Sequence, residues 1–238
     1  MEPGHRVLDA GCGPGRFTIE LVALGARPVA LDTSPLQLKA ATERCQAAGV
    51  HHQVEAFLRG DIVDLSQFPD ESFDVVVCFG GPLSYVRDKR QQAAAELVRV
   101  TRPGGLLLVS VMSRFCATCN VVRRATLEVL RDPLAGQVWS VLDQGELSGI
   151  PSRVPGETHP PMHLYSSGEL ASLFESCAVL ALAGSNVTAV EGDPAFEQVA
   201  ADAEAWATAV EVERRLCREP GLVDTGSHLL AVVQRPFA

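Results

Sequence analysis

The residues that could do chemistry begin almost at once. In VLDAGCGPGRF, Val7 to Phe17, an apolar strand ends in an acid and runs into Gly11, Gly13 and Gly15 at alternate positions. Glycines so placed let a chain turn sharply and let a ligand approach the backbone, the opening of a nucleotide-type site. The dinucleotide fingerprint G-x-G-x-x-G fails at its sixth position, which holds Arg16, and no Gly-Lys-Ser/Thr follows for a phosphate loop. Two further acids close the next strand-like runs. Asp32, in VALDTSPLQL, is placed to accept hydrogen bonds from both hydroxyls of a ribose. Asp61, in GDIVDL, stands beside Ile62, where an exocyclic amine and an apolar base face could be read; alternatively it only caps the following turn.

Groups able to take a proton from an acceptor are Tyr85, in GGPLSYV, and His159, His163 and Tyr165, in THPPMHLYSSGEL. Tyr85 reads equally well as a half-buried packing residue. His159 and His163 are spaced like a metal pair on a helix, but Pro160 and Pro161 between them deny a regular helix, so no metal site is expected. Cys116 and Cys119 form a CxxC with no second pair, which favours structural thiols on one helical turn.

These residues need a scaffold, and the chain supplies short apolar runs alternating with helical patterns, the signature of a parallel sheet with helices on its faces. The strand-like runs are 6–10, 27–32, 51–61, 73–79, 105–112, 178–186 and 227–234, seven in all. RFTIELVALG and SPLQLKAATERCQAAG are helical and end on glycine, as helix C-termini do. DKRQQAAAELVRVTRPGG is a third helix, closed by a turn at RPGG. Two segments break the alternation: an insertion from Ser113 to His163 with a helical middle, NVVRRATLEVL, and one long helical pattern from Pro194 to Gly221. The insertion is far longer than the usual connection of about 2 to 6 residues, and such insertions tend to carry function.

With 238 residues, 47% hydrophobic and 21% charged, the chain is expected to fold as a single domain spanning 1–238. The net charge of -9 argues against a nucleic-acid partner, whose affinity draws on clustered Lys and Arg. No apolar run approaches the roughly 18 to 20 residues that span a bilayer. Seven scattered cysteines fit a reducing compartment, and a cytoplasmic location is expected.

Taken in order, VLDAGCGPGRF, ALDTSPLQL, GDIVDL, FDVVVCFGGPLSYV and RPGGLLLVSVM resemble the successive motifs of class I S-adenosylmethionine-dependent methyltransferases. The resemblance covers 6–112 and resumes in HLYSSGELASLFESC and DTGSHLLAVVQRP. It implies an α/β fold: a Rossmann-like, doubly wound seven-stranded sheet, mostly parallel with an antiparallel final strand. It implies S-adenosylmethionine as cofactor and S-adenosylhomocysteine as product, while the acidic balance and the long insertion favour a small organic molecule as acceptor. By the same resemblance Asp9, Gly11 and Gly13 wrap the methionine part, and Asp32 binds the ribose. Thr33 and Leu36 border ribose and adenine, Asp61 and Ile62 read the adenine, and Phe79 and Gly80 put a carbonyl near the ammonium. Leu83 and Tyr85 would wall the acceptor pocket, and Tyr85, His163 and Tyr165 are the catalytic candidates.

The family usually carries helical residues before its first strand, whereas here the first motif begins at residue 7. The lid is therefore expected from the 113–163 insertion and the Pro194 to Gly221 helix, unless the start lies further upstream. An apolar sheet face left uncovered would favour a homodimer. Two other functions compete with methyl transfer: a non-catalytic or regulatory S-adenosylmethionine-binding protein and, against Arg16 and the final strand, a nicotinamide-dependent oxidoreductase.

Overall fold

The structure is a computed structural model that describes residues 1–124, 134–148, 158–188 and 194–237. It forms two compact units, one of Met1–Val111, Ala171–Ala181 and Ala231–Ala238, the other of Met112–Leu170 and Leu182–Leu230.

The first unit opens with β1 (Arg6–Ala10), α1 (Arg16–Ala23), β2 (Arg27–Asp32), α2 (Pro35–Ala47), β3 (Ala56–Arg59) and β4 (Phe73–Cys78). The short α3 (Pro82–Tyr85), α4 (Arg90–Val100) and β5 (Thr101–Met112) follow. With β8 (Ala178–Ser185) and β9 (His228–Gln234) the strands make a seven-stranded sheet in the order β3-β2-β1-β4-β5-β9-β8. β1 to β5 are mutually parallel. The last strand is antiparallel: Gly104 donates to the carbonyl of Arg235 while, at the far end of β5, Ser113 donates to that of Ser227.

The strand sequences explain the arrangement. Val7, Leu8, Val29, Ala30, Leu31, Val75, Val76 and Val77 are all buried, the unbroken apolar run of strands covered on both faces. Val22 of α1 and Ala41 and Cys45 of α2 pack on Ala30, while Leu21 and Ala26 pack on Val7, Val75 and Val77. Ser34 caps α2, its hydroxyl accepting from the Gln37 N–H at 3.4 Å, and Pro35 takes the first helical position.

Some boundaries differ from expectation for visible reasons. β3 is only Ala56–Arg59, because His51–Gln53 coil into a 3₁₀ turn. RPGG does not end before β5 but lies inside it: Phe73 pairs with Thr101 and Val75 with Leu106, so the four residues bulge out of the ladder, with Gly104 at φ 71°. The C-terminal tail stitches this bulge, since Arg235 donates to the carbonyls of Val98 and Arg99 at the end of α4.

The second unit holds α5 (Arg114–Arg124), α6 (Leu134–Gln144), the hairpin β6 (Glu146–Leu147) with β7 (Met162–His163), and the start of α7 (Ser167–Leu173). It also holds α8 (Pro194–Ala201) and α9 (Ala203–Leu216). Val141, Met162 and Leu164 form its core, joined by Met112, Ala117 and Leu147. The long pattern from Pro194 is two helices rather than one, because Asp202 leaves the helical conformation and caps α9, accepting from the N–H groups of Glu204 and Ala205. The expected helical middle of the insertion begins within α5, and its remainder lies outside the described residues.

Candidate active site

The parallel register aligns Ala10 with Leu31, Asp9 with Val77 and Asp32 with Arg59, so the turns after β1, β2, β3 and β4 all leave one edge of the sheet. The strand order reverses between β1 and β4, where ligands of doubly wound sheets bind. Asp9, Gly11, Gly13, Asp32, Thr33, Leu36, Asp61, Ile62, Phe79 and Gly80 are all carried by these strand ends and turns in the first unit.

The glycine turn needs its glycines for two different reasons. Gly11 has φ 81°, and a Cβ there would lie 2.3 Å from Cγ of Pro82, so this glycine admits the turn before α3. Gly13, at φ 52°, has nothing within 4 Å of such a Cβ, so its backbone borders open space. The N–H groups of Gly11 and Cys12 both donate to the Leu31 carbonyl, which fastens the turn to β2.

Asp32 is oriented by the same turn. Its Oδ2 accepts from the Gly13 N–H at 2.9 Å and its Oδ1 from the Ser34 N–H at 2.9 Å. Each oxygen of a carboxylate can accept a second bond, so both remain able to receive a hydroxyl, the requirement for chelating a ribose. Thr33 is exposed, and Leu36 in the first turn of α2 presents its side chain at 79% exposure.

After β3, Asp61 is exposed and also caps: its Oδ1 accepts from the Val63 N–H at 3.0 Å. Both sequence readings of Asp61 are therefore compatible with its geometry. Ile62 is buried, so its backbone is what it can offer a ring. After β4, Phe79 is half-buried and meets Phe17 edge-on at 5.1 Å. Gly80, at φ 81°, again has nothing within 4 Å of a Cβ, and its N–H donates to Ser110 Oγ at 2.9 Å.

Asp9 is 1% exposed and its Oδ2 accepts from the Thr18 hydroxyl at 2.6 Å. Burial pushes its carboxyl up to about 6; the Thr18 bond works against the rise and the charge of Asp32 adds to it. Nearby, burial together with the charge of Asp9 pushes the Cys78 thiol up to about 12 and raises those of Cys12 and Cys45.

Tyr85 ends α3 at 41% exposure, with burial raising its hydroxyl above the ordinary tyrosine value. A phenol so shifted is a hydrogen-bond donor at neutral pH, not a ready base. Leu83, expected in the acceptor wall, is fully buried after the turn at Gly81 and Pro82.

His163 and Tyr165 belong to the second unit, each 1% exposed and packed edge to face at 4.7 Å. His163 Nδ1 lies 2.9 Å from Glu146 Oε1 and its Nε2 3.2 Å from Glu169 Oε1, so both ring nitrogens face a carboxylate. His159 stands beside the Pro160 carbonyl at 2.8 Å. On α5, the Asn120 side-chain amide donates to Cys116 Sγ at 3.4 Å, and Cys119 is exposed. Among the described residues no three His, Cys, Asp or Glu side chains gather as a metal site, and no helix is long and apolar enough to cross a membrane.

Sequence reasoning passed over Thr18, Phe17, Pro82 and Ser110. Two of them carry a legible signal: Thr18 puts a hydroxyl on the buried face of the helix after the acid, and Ser110 is the lone hydroxyl in GLLLVSVM.

The geometry fits S-adenosylmethionine: open backbone at Gly13 and Gly80, a chelating carboxylate at Asp32 and an apolar rim at Leu36. Comparisons with known proteins agree. A family model described as a methyltransferase domain matches residues 7–105. A malonyl-[acyl-carrier protein] O-methyltransferase of Serratia marcescens is 41% identical over 111 residues, 47% of this chain and 40% of that protein. A ubiquinone biosynthesis O-methyltransferase of Hahella chejuensis is 36% identical over 112 residues, 47% of this chain and 45% of its own. The chain thus spans less than half the length of these curated relatives. The solved structure of an S-adenosylmethionine-dependent methyltransferase from Methanosarcina mazei superposes with a TM-score of 0.66 at 19% identity, over 100% of this chain and 95% of that one, a likeness of fold. Residues 7–105 are thus similar to a methyltransferase domain, and the likeness to S-adenosylmethionine-dependent methyltransferases supports S-adenosylmethionine as the cofactor.

Proposed function

We propose that this chain transfers a methyl group from S-adenosylmethionine to a small organic acceptor. The observation that carries the reading is the joint fixing of Gly13 and Asp32: one hydrogen bond of 2.9 Å holds an open backbone and a ribose-chelating carboxylate in one arrangement. Asp32 accepts from the ribose hydroxyls, Thr33 and Leu36 border the ribose and adenine, and Asp61 with the Ile62 backbone reads the adenine edge. Asp9, Gly11 and Gly13 surround the methionine part, and Phe79 and Gly80 supply a carbonyl to its ammonium. The cofactor supplies an electrophilic methyl on a sulfonium. What the protein adds is alignment, since an in-line displacement gains most from holding the reactants at about 3 Å.

Of the three catalytic candidates, Tyr85 is the one we assign to the acceptor. It is exposed and ends the helix that Gly80 and Gly81 introduce, and as a neutral phenol it positions the acceptor by hydrogen bonding. His163 and Tyr165 we assign to packing, because both are buried and the imidazole nitrogens already face Glu146 and Glu169. A small acceptor rather than nucleic acid fits 20 Lys and Arg against 29 Asp and Glu. Buried thiols at Cys12, Cys45 and Cys78 support a cytoplasmic location.

The test is methyl transfer from S-adenosylmethionine carrying a ¹³C methyl to a panel of small carboxylic acids, phenols and amines, read by mass. A labelled product whose KM rises several-fold in Tyr85→Phe supports the reading. Tight cofactor binding with no labelled product across the panel favours a non-catalytic binding protein.

A further inference from the structure

One buried group near the cofactor residues has a capacity that alignment alone does not use. Asp9 sits on β1, between β2 and β4, with its carboxyl 1% exposed. Its neighbours are the Thr18 hydroxyl from α1, the Cys12 thiol of the glycine turn, Asp32 at the end of β2, Cys45 of α2 and Cys78 of β4. Among the described residues no Lys, Arg or His nitrogen forms an ion pair with it. A buried carboxylate without a cation is costly, and such a group avoids the cost by holding its proton.

Resting on the cofactor reading, we propose that Asp9, tuned by the Thr18 hydroxyl, is a proton-coupled charge receptor. It holds a proton in the ligand-free protein at mildly acidic pH and releases it as the ammonium and sulfonium of S-adenosylmethionine bind beside it. The O–H bond of the carboxyl breaks, the proton passes to the buffer, and the carboxylate is left facing the incoming positive charge. Thr18 acts through Asp9: at 2.6 Å its hydroxyl donates to Oδ2 and favours the charged form. It is a positioning residue that sets the pH at which coupling begins.

The consequence has a definite sign. With the Asp9 carboxyl raised to about 6, the ligand-free protein is protonated there below pH 6 and ionised above pH 7. Affinity for S-adenosylmethionine therefore falls as pH drops below about 6, approaching tenfold per unit, and is flat above pH 7 until other groups titrate. The ligand's own α-ammonium titrates at roughly 8 and produces the opposite effect, proton uptake, in alkaline solution.

Calorimetric titration of the full chain with S-adenosylmethionine at pH 5.5, in two buffers of different ionisation enthalpy, measures the protons exchanged. The proposal expects release of more than half a proton at pH 5.5 and none at pH 7.5. Asp9→Asn abolishes the release, and Thr18→Val moves the pH at which affinity breaks upward. Equal heats in both buffers at pH 5.5, or release that persists in Asp9→Asn, overturn the proposal while the cofactor reading stands. An unmoved break in Thr18→Val removes Thr18 from it. Absence of S-adenosylmethionine binding at every pH overturns both readings together.

Discussion

Two polar clusters in this molecule stand in contrast: the turn that joins Gly13 to Asp32 in the first unit, and the group formed by Arg114, Glu146, His163 and Glu169 in the second unit. By residue type alone the Arg114 group is the better imitation of an active site, with a buried histidine between two carboxylates and an arginine beside them. Its bonding is satisfied internally. Both nitrogens of His163 face carboxylates, and Glu169 accepts from Arg114 and from the Ser166 N–H as well. The glycine turn has fewer titratable groups but unused capacity: both oxygens of Asp32 can take another donor, and the backbone at Gly13 and Gly80 opens on space. The proposed binding site is thus marked by the bonds it has left to make, and the second cluster by the bonds it has completed.

The contrast is most exposed to challenge at Gly11. Alanine there must adopt φ 81° and place its Cβ 2.3 Å from Pro82, so the turn cannot keep its form. Gly11→Ala is expected to lose cofactor affinity by more than about 100-fold, and left-handed backbone alone costs about 1–2 kcal/mol; a titration matching the parent within a few-fold would show that the turn is not the site.

In the other cluster, Glu169→Ala leaves Arg114 and His163 short of a partner and is expected to cost about 1–3 kcal/mol of stability, measured by urea unfolding. Burial works against the charge on Glu169, but the Ser166 N–H, Arg114 and His163 outweigh it and hold its carboxyl below the ordinary value. A depressed carboxyl contributes stability above its unfolded value of about 4.3, and that contribution is lost as pH falls through the lower folded value. Acid unfolding of the parent should steepen below about pH 4, and Glu169→Ala should lack that component.

Asp9→Asn separates stability from function. A carboxyl raised from 3.8 to about 6 makes folding more favourable when protonated, and that contribution is lost as pH rises from 3.8 through 6. Removing the charge should therefore stabilise the ligand-free protein above pH 7, by roughly 3 kcal/mol, while weakening cofactor binding. A melting temperature at pH 8 below that of the parent contradicts this role of Asp9.

The mildest change is Gly104→Ala, where φ is 71° and the new Cβ meets the ring of Phe237, an exposed side chain near the chain end that can swing aside. A loss of about 1 kcal/mol, the left-handed penalty alone, is expected; a loss several times larger would mean that the C-terminal tail is fixed on the bulge.

Most of the sheet was legible because strands buried on both faces are written as unbroken apolar runs: RVLDA and RPVALD became β1 and β2 with their expected bounds. The residues proposed for the cofactor stand where strand ends and glycines mark the turns of a parallel sheet. What escaped depends on contacts distant in sequence. Nothing local in RPGG says that a tail 130 residues later will stitch it into β5 as a bulge. Nothing in HLYSSGEL says that Glu146 and Glu169 close on His163. Thr18 and Ser110 were missed because a hydroxyl among apolar residues gains meaning only once its partner, Asp9 or Gly80, is placed.

The site itself is put at risk by a calorimetric titration of the full chain at pH 7.5 with S-adenosylmethionine and, separately, with NAD, repeated on Asp32→Ala. Losing two hydrogen bonds to a carboxylate should cost about 1.5–3 kcal/mol, a factor of at least about ten in affinity. S-adenosylmethionine alone is expected to bind, weakened by that factor in Asp32→Ala; binding of NAD, or an affinity for S-adenosylmethionine indifferent to Asp32, would contradict the assignment.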